Sequence, residues 1–240
     1  MQEHKIVVAI LDGQQSTIDG YYYRLGQNPN IEIAGAASAA SQFEDLLAQR
    51  PVDVAIVDVR APTAPDNANP FPALHVLPQL LRKHASLAVL VVSTHEERSM
   101  IQALLDAGAK GYIFKDDGEI IRDLATVVMA VATGGVHLSR RAYELMRQAM
   151  ASAHDAQLTL RQLEALSLCA ARPGEPLETL AKQLDISPST LRNTLANIYE
   201  RLGVHTRLEA ILKARELGLI ASPGTEGPPD RRPREAPRLQ

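Results

Sequence analysis

The 240-residue chain has no tryptophan, few aromatic residues and one cysteine. With aromatics at 4% and hydrophobic residues at 45%, its cores have to be built from aliphatic side chains. A lone cysteine, Cys169, excludes an internal disulfide and fits a reducing cytoplasm. No apolar run approaches the ~18 residues of a membrane span. The opening MQEHKIVVAIL passes directly from charge into a strand-like segment, so no secretory leader is expected. Basic excess is also missing: the net charge is −3. It divides unevenly, with 16 acidic against 10 basic side chains in residues 1–135 and 12 against 15 in residues 136–240. Any nucleic acid would therefore be met by the second half, with a weak electrostatic footprint and a need for dimerisation.

In the first half, short β-branched runs alternate with segments of helical period. The runs are Ile6–Leu11, Ile31–Ala34, Val54–Val57, Leu87–Val92 and Gly111–Phe114; helices are predicted near 15–26, 39–49, 73–84, 96–107 and 117–133. Five βα units imply an α/β fold, a five-stranded doubly wound parallel sheet, with ligands met at the C-terminal ends of the strands. Those ends carry Asp12, Asp58, Ser93 with Thr94, and Lys115. A nucleophilic carboxylate, a second acid for a divalent cation, a hydroxyl and a lysine are what phosphoryl transfer to an aspartate requires. Thr94 and His95 otherwise read as strand-end residues, and Lys115 as a partner for Asp58. The stretch after Asp58, APTAPDNANPFPALHVLP, has five prolines and cannot be helical through most of its length.

In the second half, Ile186–Val204 (ISPSTLRNTLANIYERLGV) forms a helix capped by Ser187, with Pro188 in its first turn. Leu191, Leu195, Ile198 and Leu202 make one apolar stripe. The opposite face bears Ser189, Thr190, Arg192, Asn193, Ala196 and Asn197. A short amphipathic helix (Leu177, Leu180, Ala181, Leu184) lies just upstream, giving helix, tight turn, helix, the geometry that places a helix in the DNA major groove. Arg192 is the candidate for a guanine or phosphate contact, Asn193 and Asn197 for base edges or phosphates, and Ser189 and Thr190 for the DNA backbone. T-x-x-Q at Thr159–Gln162 and T-x-x-E at Thr206–Glu209 are capping boxes for the flanking helices. The last helix is expected to bury Leu208, Ile211 and Leu212 and to stop at Gly218.

With LTLRQLEALSLCA before it and HTRLEAILKARELGLI after it, this segment resembles the LuxR-type helix-turn-helix of the NarL/FixJ response regulators, over about residues 158–220. IYERLGV, the Arg207–Glu209–Ala210 motif and the terminal LGLI carry the likeness. DVRxP at Asp58, VVST at Val91–Thr94 and GYIFK at Gly111–Lys115 likewise resemble a response-regulator receiver over about residues 4–133. The resemblance implies Asp58 as phosphoacceptor, Tyr112 as the switch aromatic, Mg²⁺ held at Asp12 and Asp58, a homodimer on two-fold double-stranded DNA, and a histidine kinase as phosphodonor. Five departures stand out. In the recognition helix Ser189 and Thr194 stand where Lys and His are common. Gly13 replaces the second acid of the usual pair, which weakens a Mg²⁺ site. Gln14 and Gln15 replace the His-Pro that usually follows it. The loop after Asp58 is about seven residues longer than usual, and RPGEP at Arg172–Pro176 lengthens a turn by about two.

The expected organisation is a receiver-like domain over 1–135, a linker with a helix and hinge over 136–157, an all-α four-helix DNA-binding domain over 158–220, and a disordered tail over 221–240 whose arginines (231, 232, 234 and 238) brush phosphates or are merely solvated. The expected function is a cytoplasmic DNA-binding transcription regulator, not an enzyme, whose Asp58 is phosphorylated weakly or not at all. The alternatives are a receiver that reads a ligand or partner protein, an aspartyl-phosphate hydrolase, and a docking module that does not use DNA. The hydrolase reading is disfavoured because such enzymes place a second Asp two residues after the nucleophile, where this chain has Arg60. No phosphate-binding Walker loop occurs.

Overall fold

The computed structural model describes residues 5–147 and 158–223. The first part alternates β1 (Ile6–Leu11), α1 (Gln15–Leu25), β2 (Ile31–Ala37), α2 (Ala40–Gln49) and β3 (Val54–Val57). A hairpin follows, β4 (Pro62–Ala64) and β5 (Asn67–Pro70), then α3 (Ala73–Lys83), β6 (Ala88–Ser93), α4 (Arg98–Asp106) and β7 (Gly111–Phe114). The segment closes with α5 (Gly118–Arg122), α6 (Leu124–Ala132), β8 (His137–Leu138) and α7 (Arg140–Arg147). The strands form a parallel sheet in the order β2-β1-β3-β6-β7-β8. Its central strands are buried on both faces, as their unbroken apolar runs require.

Three expectations are corrected here. The sheet has six strands rather than five, because after Gly134–Gly135 the chain returns along β7, with His137 N–H donating to Lys110 O at 2.9 Å and Ser139 N–H to Tyr112 O at 2.9 Å. The final receiver helix is two helices, α5 and α6, meeting at Asp123. The helix expected as an interdomain hinge, α7, instead packs on the receiver: Ala142 is fully buried, and Arg141 lies 4.8 Å over the Phe114 ring and 3.0 Å from Asp116. Residues 148–157, which hold the rest of the expected linker, and residues 224–240, which hold the tail arginines, lie outside the described residues.

The Pro-rich stretch is largely the hairpin. Pro62 pairs with Pro70 at its open end, where an edge tolerates the missing N–H donors.

The second part is all helical: α8 (Leu160–Ala171), α9 (Leu177–Gln183), α10 (Pro188–Leu202) and α11 (Arg207–Glu216). Both expected capping boxes form, at Thr159/Gln162 and Thr206/Glu209. Asp185 takes a left-handed φ of 54° at the turn between α9 and α10, a conformation that Asp tolerates better than most side chains. Gly203 ends α10 at φ 65°, letting Val204 N–H reach Tyr199 O at 3.0 Å. The longer RPGEP turn is held from α11: Arg207 donates to the carbonyls of Glu175 (3.0 Å) and Pro173 (2.8 Å). Cys169 is buried in α8, and burial pushes its thiol up to about 11, so it stays protonated and inert at neutral pH.

The two parts share one apolar cluster, which runs from Phe71, Leu74 and Leu77 of the receiver side to Leu163 and Leu166 of α8.

Candidate functional site

At the strand ends the structure brings together the residues singled out from the sequence. Asp58, 6% exposed, follows β3 and has both carboxylate oxygens engaged. Its Oδ1 accepts from Ser93 Oγ at 3.0 Å and from the Arg60 N–H at 3.0 Å, and its Oδ2 from Lys115 Nζ at 2.7 Å. Lys115 Nζ also lies 2.7 Å from Asp12 Oδ2. That ion pair is the one contact of Asp12 Oδ2 among the described residues, while Oδ1 accepts from the Gln14 N–H at 2.9 Å. Burial raises the Asp12 carboxyl above its usual range; Lys115 opposes this and the Asp58 charge adds to it. The lysine therefore sits between two buried carboxylates and holds both.

At Gly13 a side chain would meet the Pro62 ring, with a Cβ only 3.0 Å from Pro62 Cδ. The start of the hairpin thus closes against the place of the missing acid. Thr94 is exposed and accepts a bond from Arg60 at 2.8 Å. Tyr112 is fully buried, edge-on to Phe114, and donates to His95 O at 2.6 Å; burial raises its hydroxyl well above the usual phenol range.

On α10 every predicted contact residue lies outward: Ser189, Thr190, Arg192, Asn193, Ala196 and Asn197 are exposed, while Leu191, Leu195, Ile198 and Leu202 are buried. Ser187 caps the helix by accepting from Thr190 N–H at 3.0 Å. Arg192 is tethered to Glu178 of α9 at 3.0 Å, both side chains being more than half exposed. One expectation for α11 fails. Leu208 and Leu212 are 62% and 56% exposed, and the inward face is Ala210, Ile211 and Ala214.

Sequence reasoning missed the residues that dock the two parts together. His75 of α3, 7% exposed, meets Glu164 of α8 at 3.0 Å and Gln79 at 2.7 Å. Burial opposes ionisation of Glu164, but the bonds from His75 and Arg161 prevail and lower its carboxyl below the usual range. Asn67 of the hairpin donates to Ala171 O at 3.1 Å, and His95, whose carbonyl accepts from Tyr112, reaches Gly218 O at 2.8 Å. These contacts span more than 85 residues in sequence, a separation that local pattern does not report.

Known proteins with the same features define the class. The receiver-domain model of response regulators matches residues 8–125, and that of the LuxR family of bacterial regulatory proteins matches residues 156–214. The transcriptional regulatory protein DesR of Bacillus subtilis is 28% identical over 89% of this chain and 98% of its own. The transcriptional activator DevR/DosR of Mycobacterium tuberculosis is 28% identical over 93% of this chain and its full length. A structure of RcsB from Salmonella enterica bound to the promoter rprA, in the presence of a phosphomimetic, superposes with a TM-score of 0.63 at 18% identity, covering 88% of this chain and 98% of that one. A receiver followed by a LuxR-type helix-turn-helix makes a response regulator that acts on transcription. This chain belongs to the NarL/FixJ family of those DNA-binding regulators. Among the described residues, no helix is long and apolar enough to cross a membrane.

Proposed function

We propose that the chain acts in the cytoplasm, and without catalysing turnover of a substrate, as a homodimer that reads double-stranded DNA through α10. In this reading residues 1–147 form the receiver, with β8 and α7 part of it, 148–157 the linker, 158–220 the DNA-binding domain and 221–240 the tail. The observation that carries it is a helix, on a helix-turn-helix scaffold, whose outward face is wholly polar or small and free of packing contacts. Arg192 supplies the strongest contact and Asn193 and Asn197 the amide groups that suit base edges or phosphates. The exposed Leu208 and Leu212 of α11 are the apolar surface a second copy would cover. Because Arg192 is outside the core and its ion pair with Glu178 is solvated, Arg192→Ala should fold normally. Its affinity for a cognate site should fall by about tenfold or more, with relaxed preference at one base position if Arg192 reads a guanine. Unchanged binding in a fluorescence-anisotropy titration would remove Arg192 from the interface.

The receiver supports phosphoryl transfer to Asp58 with a reduced metal site. Two carboxylates fit a divalent cation at the minimum: Asp58 and Asp12, whose Oδ2 meets only Lys115 among the described residues. Magnesium held there would neutralise phosphoryl oxygens. Lys115 and the hydroxyls of Ser93 and Thr94 would bind those oxygens, and the Asp58 carboxylate would attack phosphorus once Lys115 releases Oδ2, with the bond from phosphorus to the donor's leaving group breaking as the new one forms. Intact mass after incubation with Mg²⁺ and a small phosphodonor should show one phosphoryl adduct on wild type and none on Asp58→Ala. No adduct on wild type, beside a receiver that labels, would leave regulation to a ligand or partner.

A further inference from the structure

Asp12 depends on a cation that phosphorylation would draw away. Its side chain is buried, and its Oδ2 meets only Lys115 Nζ among the described residues. That one ammonium also holds Asp58 Oδ2 at 2.7 Å. With Asp58 as phosphoacceptor, phosphorus bonds to Asp58 as its bond to the donor's leaving group breaks, and Lys115 turns to the phosphoryl oxygens. Asp12 is then a buried carboxylate without a cation, a costly state. The other donors of the centre are spent. Ser93 and Thr94 serve Asp58 and the phosphoryl oxygens, and the Arg60 guanidinium is on Thr94 and Pro223 O.

One buried donor stays idle. Tyr21 lies on the inward stripe of α1 with Ile18 and Leu25, where a phenyl ring would pack as well. It is 2% exposed, yet its hydroxyl has no partner, which is costly for a buried donor. Among the described residues no other buried hydroxyl is left in this state. Tyr21 and Lys115 line one cleft of about 420 Å³, which gives the ring room to shift toward the strand ends. Burial, with the charges of Asp12 and Asp58 that it faces, holds the hydroxyl above the ordinary phenol range, so it keeps its proton at neutral pH. An idle donor facing a carboxylate whose single cation is shared has its use in a state other than the resting one.

We infer that Tyr21 is a positioning residue for phosphoryl transfer: its hydroxyl donates to Asp12 Oδ2 when Lys115 leaves for the phosphoryl group, and so holds that acid in place through the reaction. With glycine at position 13, Asp12 is the one acid present at the end of β1. The role in the reaction rests on Asp58 being the phosphoacceptor, but the bond itself forms whenever Lys115 is withdrawn.

Tyr21→Phe deletes the hydroxyl and keeps the ring, and its effect on melting is read in three backgrounds of the full chain. In wild type the melting temperature should hold or rise, since an unpartnered buried hydroxyl is removed. In Lys115→Met with Asp58→Asn, Asp12 keeps its charge without its cation, and Tyr21→Phe should lower melting by roughly 5 °C, as for a hydrogen bond to a charged group. In Lys115→Met with Asp12→Asn the change should stay under about 2 °C. Intact-mass labelling with Mg²⁺ and acetyl phosphate should be about tenfold slower in Tyr21→Phe than in wild type, the effect of one charge-assisted bond. The inference is overturned if Tyr21→Phe shifts melting alike in all three backgrounds. It is also overturned if the fall comes with Asp12→Asn and not with Asp58→Asn, which would make Asp58 the acceptor. The melting pattern with wild-type labelling would leave Tyr21 a residue of the fold alone and overturn the positioning role. No label on wild type would fail the phosphoacceptor reading instead, and the melting series would then decide whether Tyr21 is the donor to Asp12.

Discussion

Replacing Lys115 with methionine should destabilise the folded chain by about 3–5 kcal/mol, the range for removing one partner of a buried ion pair. Methionine keeps most of the lysine stem and removes the charge, so the loss isolates electrostatics from packing. Nζ touches Asp12 and Asp58 at 2.7 Å each, and the three side chains are 11%, 1% and 7% exposed. Without the ammonium, two buried carboxylates face each other and neither has a second cation. In a chain of this size that should appear as a fall in melting temperature of roughly 10 °C. Lys115→Met combined with Asp58→Asn, or with Asp12→Asn, should recover most of the loss, because one carboxylate no longer repels the other. Magnesium should raise the melting temperature of Lys115→Met more than that of wild type, since a cation binding only the folded state stabilises it. A Lys115→Met variant that melts with wild type, with or without Mg²⁺, would mean that solvent already screens the carboxylates. It would also remove the ground for a cation site.

The residues of this cluster were legible because strand ends have a fixed geometry. In a parallel sheet, the C-terminal ends of the strands converge on one edge, so Asp12, Asp58, Ser93 and Lys115 could be placed together from the alternation of runs and helices alone. The recognition face of α10 was legible for a similar reason: four leucine-type residues at helical spacing leave only one polar side. The same reasoning failed for α11. There Leu208 and Leu212 lie on one side and Ala210, Ile211 and Ala214 on another, and periodicity cannot say which faces the core when small residues pack more closely than large ones. The two-residue strand β8 is too short to carry a period. His75 and Glu164 gave no signal because each reads as a surface residue of its own helix until the two surfaces meet.

Docking does not hide the DNA-reading face. With the two parts packed along α3 and α8, every proposed contact residue on α10 remains exposed, and so do Leu208 and Leu212. Control through this interface would therefore act on how two copies are placed relative to each other rather than on access to α10. Tyr112 is tied into the joint: it donates to the His95 carbonyl, and the His95 ring binds Gly218 O just after α11. A change at Asp58 that moves Ser93, Thr94 or Tyr112 would reach the helix-turn-helix side through His95 and through Arg60, which bonds Thr94 and donates to Pro223 O at 3.3 Å.

Gly218→Val should break this joint. Gly218 has φ 62°, a conformation that costs a β-branched residue about 2 kcal/mol or more. A Cβ there would also overlap the side chain of Glu97. Glu97 is exposed and can turn away, so the backbone strain is the lasting part of the effect. The strain is best relieved by letting the end of α11 leave the loop after β6, which widens the molecule in small-angle scattering. Gly218→Asn in a Glu97→Ala background supplies the control: asparagine accepts the left-handed conformation and the overlap is gone, so docking should persist at a cost under about 1 kcal/mol. Binding to a single half-site should stay within about threefold of wild type in Gly218→Val, because the proposed contact residues lie on the exposed face of α10 and Gly218 bonds to His95 on the receiver side. Binding to the full two-fold site should change with spacing between half-sites, since the receiver no longer fixes where the second copy lies. A Gly218→Val protein as compact as wild type, or one whose half-site affinity rises many-fold, would contradict this: the first outcome would show that Gly218 is not part of the joint, the second that docking masks α10 after all.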